Sequence, residues 1–260
     1  MNAYDIVKKA RDIQRLSTIE IINALCSEFI ELHGDRRMED DQAVVGGVGL
    51  RKDKDPITII GIQKGRNTEE NIRRNFGSSG PAGYRKAERL MKQAEKFQRP
   101  VLTLINTAGA YAAPESEEYG IGEAIASMLI TMSELTVPTL AIILGEGGSG
   151  GAIALALSDQ VWMLENSIYS ILSPEGFASI LWKDSRLAQE AADIMKLTAT
   201  ELKELQVIDR VIAEGEKGET FTNEELAERL IPKIIATFEE LEKLDPKERV
   251  ANRYDRFRKF

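Results

Sequence analysis

Histidine and cysteine are nearly missing from this chain: among 260 residues there is one of each, His33 and Cys26. A lone cysteine excludes an intrachain disulfide and a cysteine metal cluster, and it fits a reducing cytoplasm. A lone histidine excludes zinc held by several imidazoles. Any histidine-based triad would have to pass through His33, which the helical periodicity places at a helix end, where an imidazole suits the dipole. No serine occupies a G-x-S-x-G elbow. No apolar run reaches the roughly 18–20 residues of a membrane span, and Met1 to Asp5 lacks the apolar stretch of a signal peptide. The formal charge of −8 argues against a general nucleic-acid binder. At 43% hydrophobic and 29% charged residues the composition is that of a globular protein. These absences point to chemistry run without a side-chain nucleophile or a resident metal.

The chain is rich in glycine at one place. Gly145 to Gly151 holds five glycines in seven residues, between the apolar runs Pro138–Leu144 and Ala152–Leu157. That order predicts a strand, a glycine turn and a helix N-terminus. The first N–H groups of a helix lack intrahelical partners, and the dipole there favours negative charge. The turn therefore suits an anion or a developing oxyanion. A Walker loop would need Lys then Ser/Thr after the last glycine, where Ala152-Ile153 stands. A dinucleotide site would want an acid about 20 residues on; Glu165 comes 14 residues after Gly151. A close-packed strand-to-helix turn with no ligand fits the glycines as well. Glu146, inside the turn, reads as structural, because a carboxylate would oppose an adjacent oxyanion.

A second signal is Asn106-Thr107-Ala108-Gly109-Ala110-Tyr111, again small residues after an apolar strand. Two such turns at neighbouring strand ends would bring two backbone N–H groups to one point, an oxyanion hole for a thioester or enolate; taken singly, each is also an ordinary loop.

Elsewhere, Ser17-Thr18-Ile19-Glu20 is a capping box. The spacing of Ile22, Leu25, Cys26, Phe29 and Leu32 predicts a helix ending near His33-Gly34, so residues 1–33 read as a helical lead-in. Val44–Leu50 and Pro56–Gln63 read as strands joined by the polar turn Lys52 to Asp55. Lys64 to Gly80 reads as a long polar loop, and Pro81 opens a helix. Strands and helices then alternate, Val207–Ala213 reads as a strand, and Thr222–Leu244 and Pro246–Phe260 read as charged amphipathic helices. Phe177 and Trp182 read as core or interface residues. The whole is an α/β chain with helical extensions at both ends, a core over 34–215 and C-terminal helices over 216–260.

Several motifs taken together resemble the alpha subunit of bacterial acetyl-CoA carboxylase carboxyltransferase. They are Phe29-Ile30-Glu31-Leu32-His33-Gly34-Asp35-Arg36, Gly61 to Arg66, Arg73-Arg74-Asn75-Phe76-Gly77 with Gly83-Tyr84-Arg85-Lys86-Ala87, Gly145 to Gly151, and Ser173 to Gly176 with Ser179 to Lys183. The resemblance spans residues 15–215. It implies a crotonase-type (ClpP-like) spiral of ββα units in one carboxyltransferase domain over 1–260. It also implies an α2β2 assembly with a homologous beta subunit bearing a zinc ribbon, with no metal in this chain. The implied reaction moves a carboxyl group from carboxybiotin, presented by a biotin carboxyl carrier protein and charged by biotin carboxylase, to acetyl-CoA. Malonyl-CoA for fatty-acid synthesis is the product. In the family the biotin anion left by decarboxylation takes the α-proton, so anion stabilisation matters more than a side-chain base. Carried onto this sequence, Gly150 and Gly151 are the biotin oxyanion donors, and Gly109 and Ala110 are a second pair. Lys64, Arg66, Arg73, Arg74 and Arg85 are candidates for binding substrate carboxylate or CoA phosphates, or for docking the partner.

One segment departs from the family. Where many members read Pro-Gly-Val-Gly-Ala-Glu-Glu-Arg-Gly-Gln, this chain has Ala112-Ala113-Pro114-Glu115-Ser116-Glu117-Glu118-Tyr119-Gly120-Ile121. Ala113 and Glu115 replace glycines, so a positive φ would be costly there and a different backbone path is expected. Two alternatives follow: a non-catalytic assembly or regulatory copy of the subunit, and a crotonase-type hydratase or thioesterase. The second is disfavoured because Ala152-Ile153 supplies no acid beside the glycine pair.

Overall fold

The computed structural model describes residues 2–52 and 55–260. The elements, in order, are α1 (Ala3–Ala10), α2 (Thr18–Leu25), β1 (Cys26–Glu31), β2 (Val44–Arg51), β3 (Pro56–Ile62), α3 (Thr68–Arg73), α4 (Pro81–Lys96), β4 (Val101–Thr107), α5 (Pro114–Glu118) and α6 (Ile121–Glu134). There follow β5 (Thr139–Gly148), α7 (Ser149–Ala156), β6 (Gln160–Leu164), β7 (Ile168–Ser170), α8 (Pro174–Trp182), α9 (Ala188–Ile194), α10 (Ala199–Glu204) and β8 (Arg210–Ile212). The small hairpin β9 (Gly215–Glu216) and β10 (Glu219–Thr220) leads to α11 (Asn223–Glu242) and α12 (Pro246–Phe257).

The main sheet runs β1-β2-β3-β4-β5-β6-β8, with β7 pairing the far end of β5. The pairs β1–β2 and β2–β3 are antiparallel; from β3 to β8 neighbours are parallel. The central strands are apolar on both faces, as a sheet covered on both sides requires. Ile60, Ile62, Val101, Ile105, Ala141 and Ile143 pack into one core with α4, α6 and α7. Alternate residues of the same strands, Ile57, Ile59, Leu102, Leu104, Leu140 and Ile142, pack into a second core with α2 and α11. The period-two alternation thus builds three layers from one sheet.

Local signals set several boundaries as the sequence predicts. The Ser17 side chain accepts from the Glu20 N–H, and Glu20 accepts from the Ser17 N–H at 2.8 Å, so the capping box forms. Pro81 and Pro174 stand in the first turns of α4 and α8. The turn expected over Lys52 to Asp55 is only partly visible, because Asp53 and Lys54 lie outside the described residues.

The predicted helix through Leu32 is overturned. α2 stops at Leu25, and Cys26–Glu31 is an edge strand paired with β2, with a register shift between Cys26 and Glu28. The shift lets residues with helical spacing sit in a strand, and pairing with β2 outweighs the local pattern. His33 therefore follows a strand and does not terminate a helix. Its Nδ1 lies 3.0 Å from Asp40, and the ring is exposed. The long loop over 64–80 contains α3 and a short 3-10 turn at Asn75–Gly77. The strand predicted over Val207–Ala213 shortens to β8, preceded by the unpredicted α10. Trp182 stacks edge-on with Phe177 at 5.8 Å, but with Ile180 and Leu181 it is exposed and so does not belong to the core.

Candidate active site

β4 and β5 are adjacent parallel strands, and Thr107 pairs with Gly147 at their carboxyl ends. The two turns singled out in the sequence therefore leave neighbouring strands at the same end of the sheet. This is the place where α/β sheets bind ligands. The glycine run is less of a turn than its composition predicts. β5 continues through Gly148, and Ser149, the first residue of α7, takes the left-handed φ of 55° that separates strand from helix.

Glycine is required here by close approach. A Cβ on Gly148 would lie 2.0 Å from the Ala108 carbonyl oxygen. One on Gly151 would lie 2.6 Å from the Ala110 nitrogen, 2.6 Å from the Tyr84 hydroxyl and 2.9 Å from the Gly109 carbonyl carbon. The two turns are thus in backbone contact, and Gly109 and Ala110 stand against Gly151. Gly150 differs: its nearest neighbour would be Ile125 Cδ1 at 3.7 Å, so this position has room. Among the described residues none accepts a hydrogen bond from the N–H of Ala110, Gly150 or Gly151. Gly109 donates to Thr107 Oγ1 at 3.1 Å, and that hydroxyl donates to the Gly109 carbonyl at 2.8 Å, which fixes the first turn.

These features make an anion cradle. Three unspent backbone donors lie at the two touching turns, with the helix dipole of α7 behind two of them. Of the four glycine-turn residues expected as donors, Gly109 is engaged internally; Ala110, Gly150 and Gly151 keep free N–H groups.

Glu146 sits under the cradle in β5. Its backbone N–H donates to Asn106 Oδ1 at 3.1 Å, and its carboxylate accepts from Lys64 Nζ at 2.7 Å and Arg11 Nε at 2.9 Å. Arg11 also binds Glu175 at 2.8 and 3.0 Å, which ties α1 and α8 to the strand. Burial alone would raise the Glu146 carboxyl, but the charge and hydrogen bond of Lys64, then Arg11, hold it below its ordinary value. Glu175 is lowered to about 2, chiefly by its hydrogen bond to Arg11. Glu146 is therefore an ionised strut whose charge is neutralised before it can oppose an anion above it. Arg11, in the lead-in helix, gave no sequence signal: its partners are 135 and 164 residues away along the chain.

The five predicted cations separate by what they hold. Lys64 is committed to Glu146. Arg66 pairs with Glu20 and donates to the Ile13 carbonyl, clamping the start of α2. Arg74 holds Glu70 at 3.1 Å and the Gln42 carbonyl at 2.9 Å. Arg85 donates to the Tyr119 carbonyl and reaches Glu123 at 3.4 Å, so it anchors the divergent segment. Arg73 is exposed and, among the described residues, makes no hydrogen bond or ion pair; of the five it alone is uncommitted.

The divergent segment carries no strain. Ala113 is extended, with φ −137°, Pro114 opens α5, and the left-handed position falls on Gly120, φ 77°. Neither Ala113 nor Glu115 has a positive φ, so the expected cost at those positions does not arise. No described helix is long and apolar enough to cross a membrane, and no described group of acids, histidine or cysteine is arranged to hold a metal.

Comparison with known proteins shows the family and the fold. The family model described as acetyl co-enzyme A carboxylase carboxyltransferase-like matches residues 1–260. The chain is 55% identical to the acetyl-coenzyme A carboxylase carboxyl transferase subunit alpha of Streptococcus sanguinis, over 98% of each chain. It is 54% identical to the same subunit of Streptococcus pneumoniae, over 100% of each. Among solved structures, transcarboxylase 12S with methylmalonyl-coenzyme A superposes with a TM-score of 0.70 at 17% identity, over 90% of this chain and 44% of that one. A Pseudomonas malonate decarboxylase hetero-tetramer in complex with coenzyme A gives 0.70 at 15% identity, over 91% and 92%. The architecture is thus the crotonase-type α/β fold shared by carboxyltransferase subunits. With the family model matching the whole chain and relatives 54–55% identical over nearly all of it, the chain belongs to the acetyl-CoA carboxylase carboxyltransferase-like family.

Proposed function

We propose that this chain is the alpha subunit of an acetyl-CoA carboxylase carboxyltransferase, and that it moves a carboxyl group from carboxybiotin to acetyl-CoA to give malonyl-CoA. The observation that carries this reading is the contact between the Gly109–Ala110 and Gly150–Gly151 turns, with three N–H groups left without acceptors. The cradle fits a ureido oxygen: it offers donors, no bulky side chain at Gly150, and no acid at Ala152 or Ile153 to repel negative charge. Carboxybiotin supplies the carboxyl group and the base for the thioester α-proton.

This chain's residues do the holding. Gly150 and Gly151 donate to the oxygen that gains charge, and the α7 dipole adds to them. Ala110 donates from the second turn. Lys64 and Arg11 keep Glu146 neutralised and the strand end rigid. Arg73 is free to meet a carboxylate or a CoA phosphate. The missing acid beside the glycine pair speaks against the hydratase reading.

The reading extends to a single carboxyltransferase domain over 1–260, in the cytoplasm, acting in an α2β2 assembly. The beta subunit would bring the zinc ribbon and most thioester contacts, and the biotin carboxyl carrier protein and biotin carboxylase would supply the charged cofactor. The test is reconstitution. The chain mixed with its beta subunit, biotinylated carrier, biotin carboxylase, ATP, bicarbonate and acetyl-CoA should form malonyl-CoA. Formation no greater than with the beta subunit alone would reject the proposal.

A further inference from the structure

The Tyr84 hydroxyl is unaccounted for by the reading so far. Tyr84 lies in the first turns of α4, is 1% exposed, and its hydroxyl makes no hydrogen bond among the described residues. A buried hydroxyl without a partner is rare, because it forfeits its bonds to water and gains nothing in return. This one points to a definite place. It stands 2.6 Å from the position a Gly151 Cβ would take, and the Ala110 nitrogen stands at the same distance from that position. The hydroxyl therefore stands at the contact between the two turns, against Ala110 and Gly151. Burial, and then the charge of Asp41, push its pKa up, so it stays a neutral donor. The Asp41 carboxylate accepts from the Ser79 hydroxyl and the backbone N–H groups of Gly80 and Ala43, and not from Tyr84.

We propose that Tyr84 is a positioning residue for carboxyl transfer: its hydroxyl sets the spacing of the Ala110 and Gly151 N–H groups and presents an unspent O–H dipole to the negative charge they hold. The inference rests on the carboxyltransferase reading. Its logic is differential stabilisation. A donor without a partner in the resting protein gains one only when charge appears in the cradle, so it acts on the transition state more than on ground-state binding. Low local polarity makes such a dipole count for more than it would in water.

The test is Tyr84→Phe, which keeps the ring packed and removes only the hydroxyl, measured in the enzyme assembled with its beta subunit. The expected result is a kcat lower by about tenfold, less than the roughly 100-fold of a lost oxyanion donor because the two N–H groups remain. KM for acetyl-CoA should stay within about twofold, and the thermal midpoint should be unchanged or higher, since an unpaired buried group has gone. A kcat matching wild type while Gly150→Val in the same assembly loses turnover would overturn the role of Tyr84 and leave the cradle standing. A lower midpoint accompanying the loss of kcat would reduce Tyr84 to a packing residue and overturn the proposal. Absence of malonyl-CoA with the wild-type chain would overturn the carboxyltransferase reading, and this inference with it.

Discussion

Replacing Gly151 by alanine tests the contact between the two turns directly. The added methyl would stand 2.6 Å from the Ala110 nitrogen and 2.9 Å from the Gly109 carbonyl carbon, both backbone atoms that cannot swing aside. The turns must separate by several tenths of an ångström, and overpacking of this kind costs about 1–3 kcal/mol. For a domain of this size that lowers the thermal midpoint by about 2–10 °C. Activity should fall further than stability, because a displacement approaching 1 Å at a catalytic group costs about 100-fold. Gly150→Ala is the matched control for stability: its methyl meets nothing nearer than 3.7 Å. It should leave the midpoint unchanged or raise it by an amount equivalent to about 0.5–1 kcal/mol, since alanine suits a helix better than glycine. Calorimetry on both variants, with carboxyl transfer measured in parallel, gives the comparison. A Gly151→Ala protein as stable and as active as wild type would refute the close approach on which the cradle depends.

Three further outcomes follow from the packing. Glu146 and Glu175 both have carboxyl values held below the ordinary range, so their ion pairs contribute fully above the unfolded value of about 4.3 and are lost as pH falls through the folded values. Glu146→Gln should therefore flatten the acid limb of stability below about pH 4.3; a limb as steep as that of wild type would contradict the strut. Arg253→Met removes a guanidinium that holds buried Asp159 at 2.7 Å and the Met132 and Leu135 carbonyls, and it should cost about 3–5 kcal/mol by chemical denaturation. A loss below about 1 kcal/mol would show that α12 does not clamp α6 as described. Burial raises the Cys26 thiol to about 11, so a thiol reagent at pH 8 should label it only as the chain opens; prompt labelling of the folded protein would contradict the packing of β1.

The two turns were legible in the sequence because their features are local. Glycine density, the apolar strands before it and the absence of Lys-Ser/Thr after Gly151 are all short-range, and they led to the two turns the structure brings together. The strands between Pro56 and Leu164 were legible for the same reason: a sheet buried on both faces writes continuous apolar runs. Cys26–Glu31 was illegible because Cys26, Phe29 and Leu32 fit a helix equally well, and only the partner strand β2 decides. The commitments of Lys64, Arg66 and Arg85 were hidden too, since each is settled by a residue 34 to 82 positions away. Tyr84 stood out only as part of the Gly83-to-Ala87 motif; only the fold shows where its hydroxyl ends.

The most direct test of the central claim is malonyl-CoA formation by the alpha–beta assembly with wild type and with Gly150→Val in this chain. The account predicts carboxyl transfer with wild type, and an intact assembly with sharply lower turnover once a branched side chain replaces Gly150 among the free N–H groups. Equal turnover by the two proteins would contradict it.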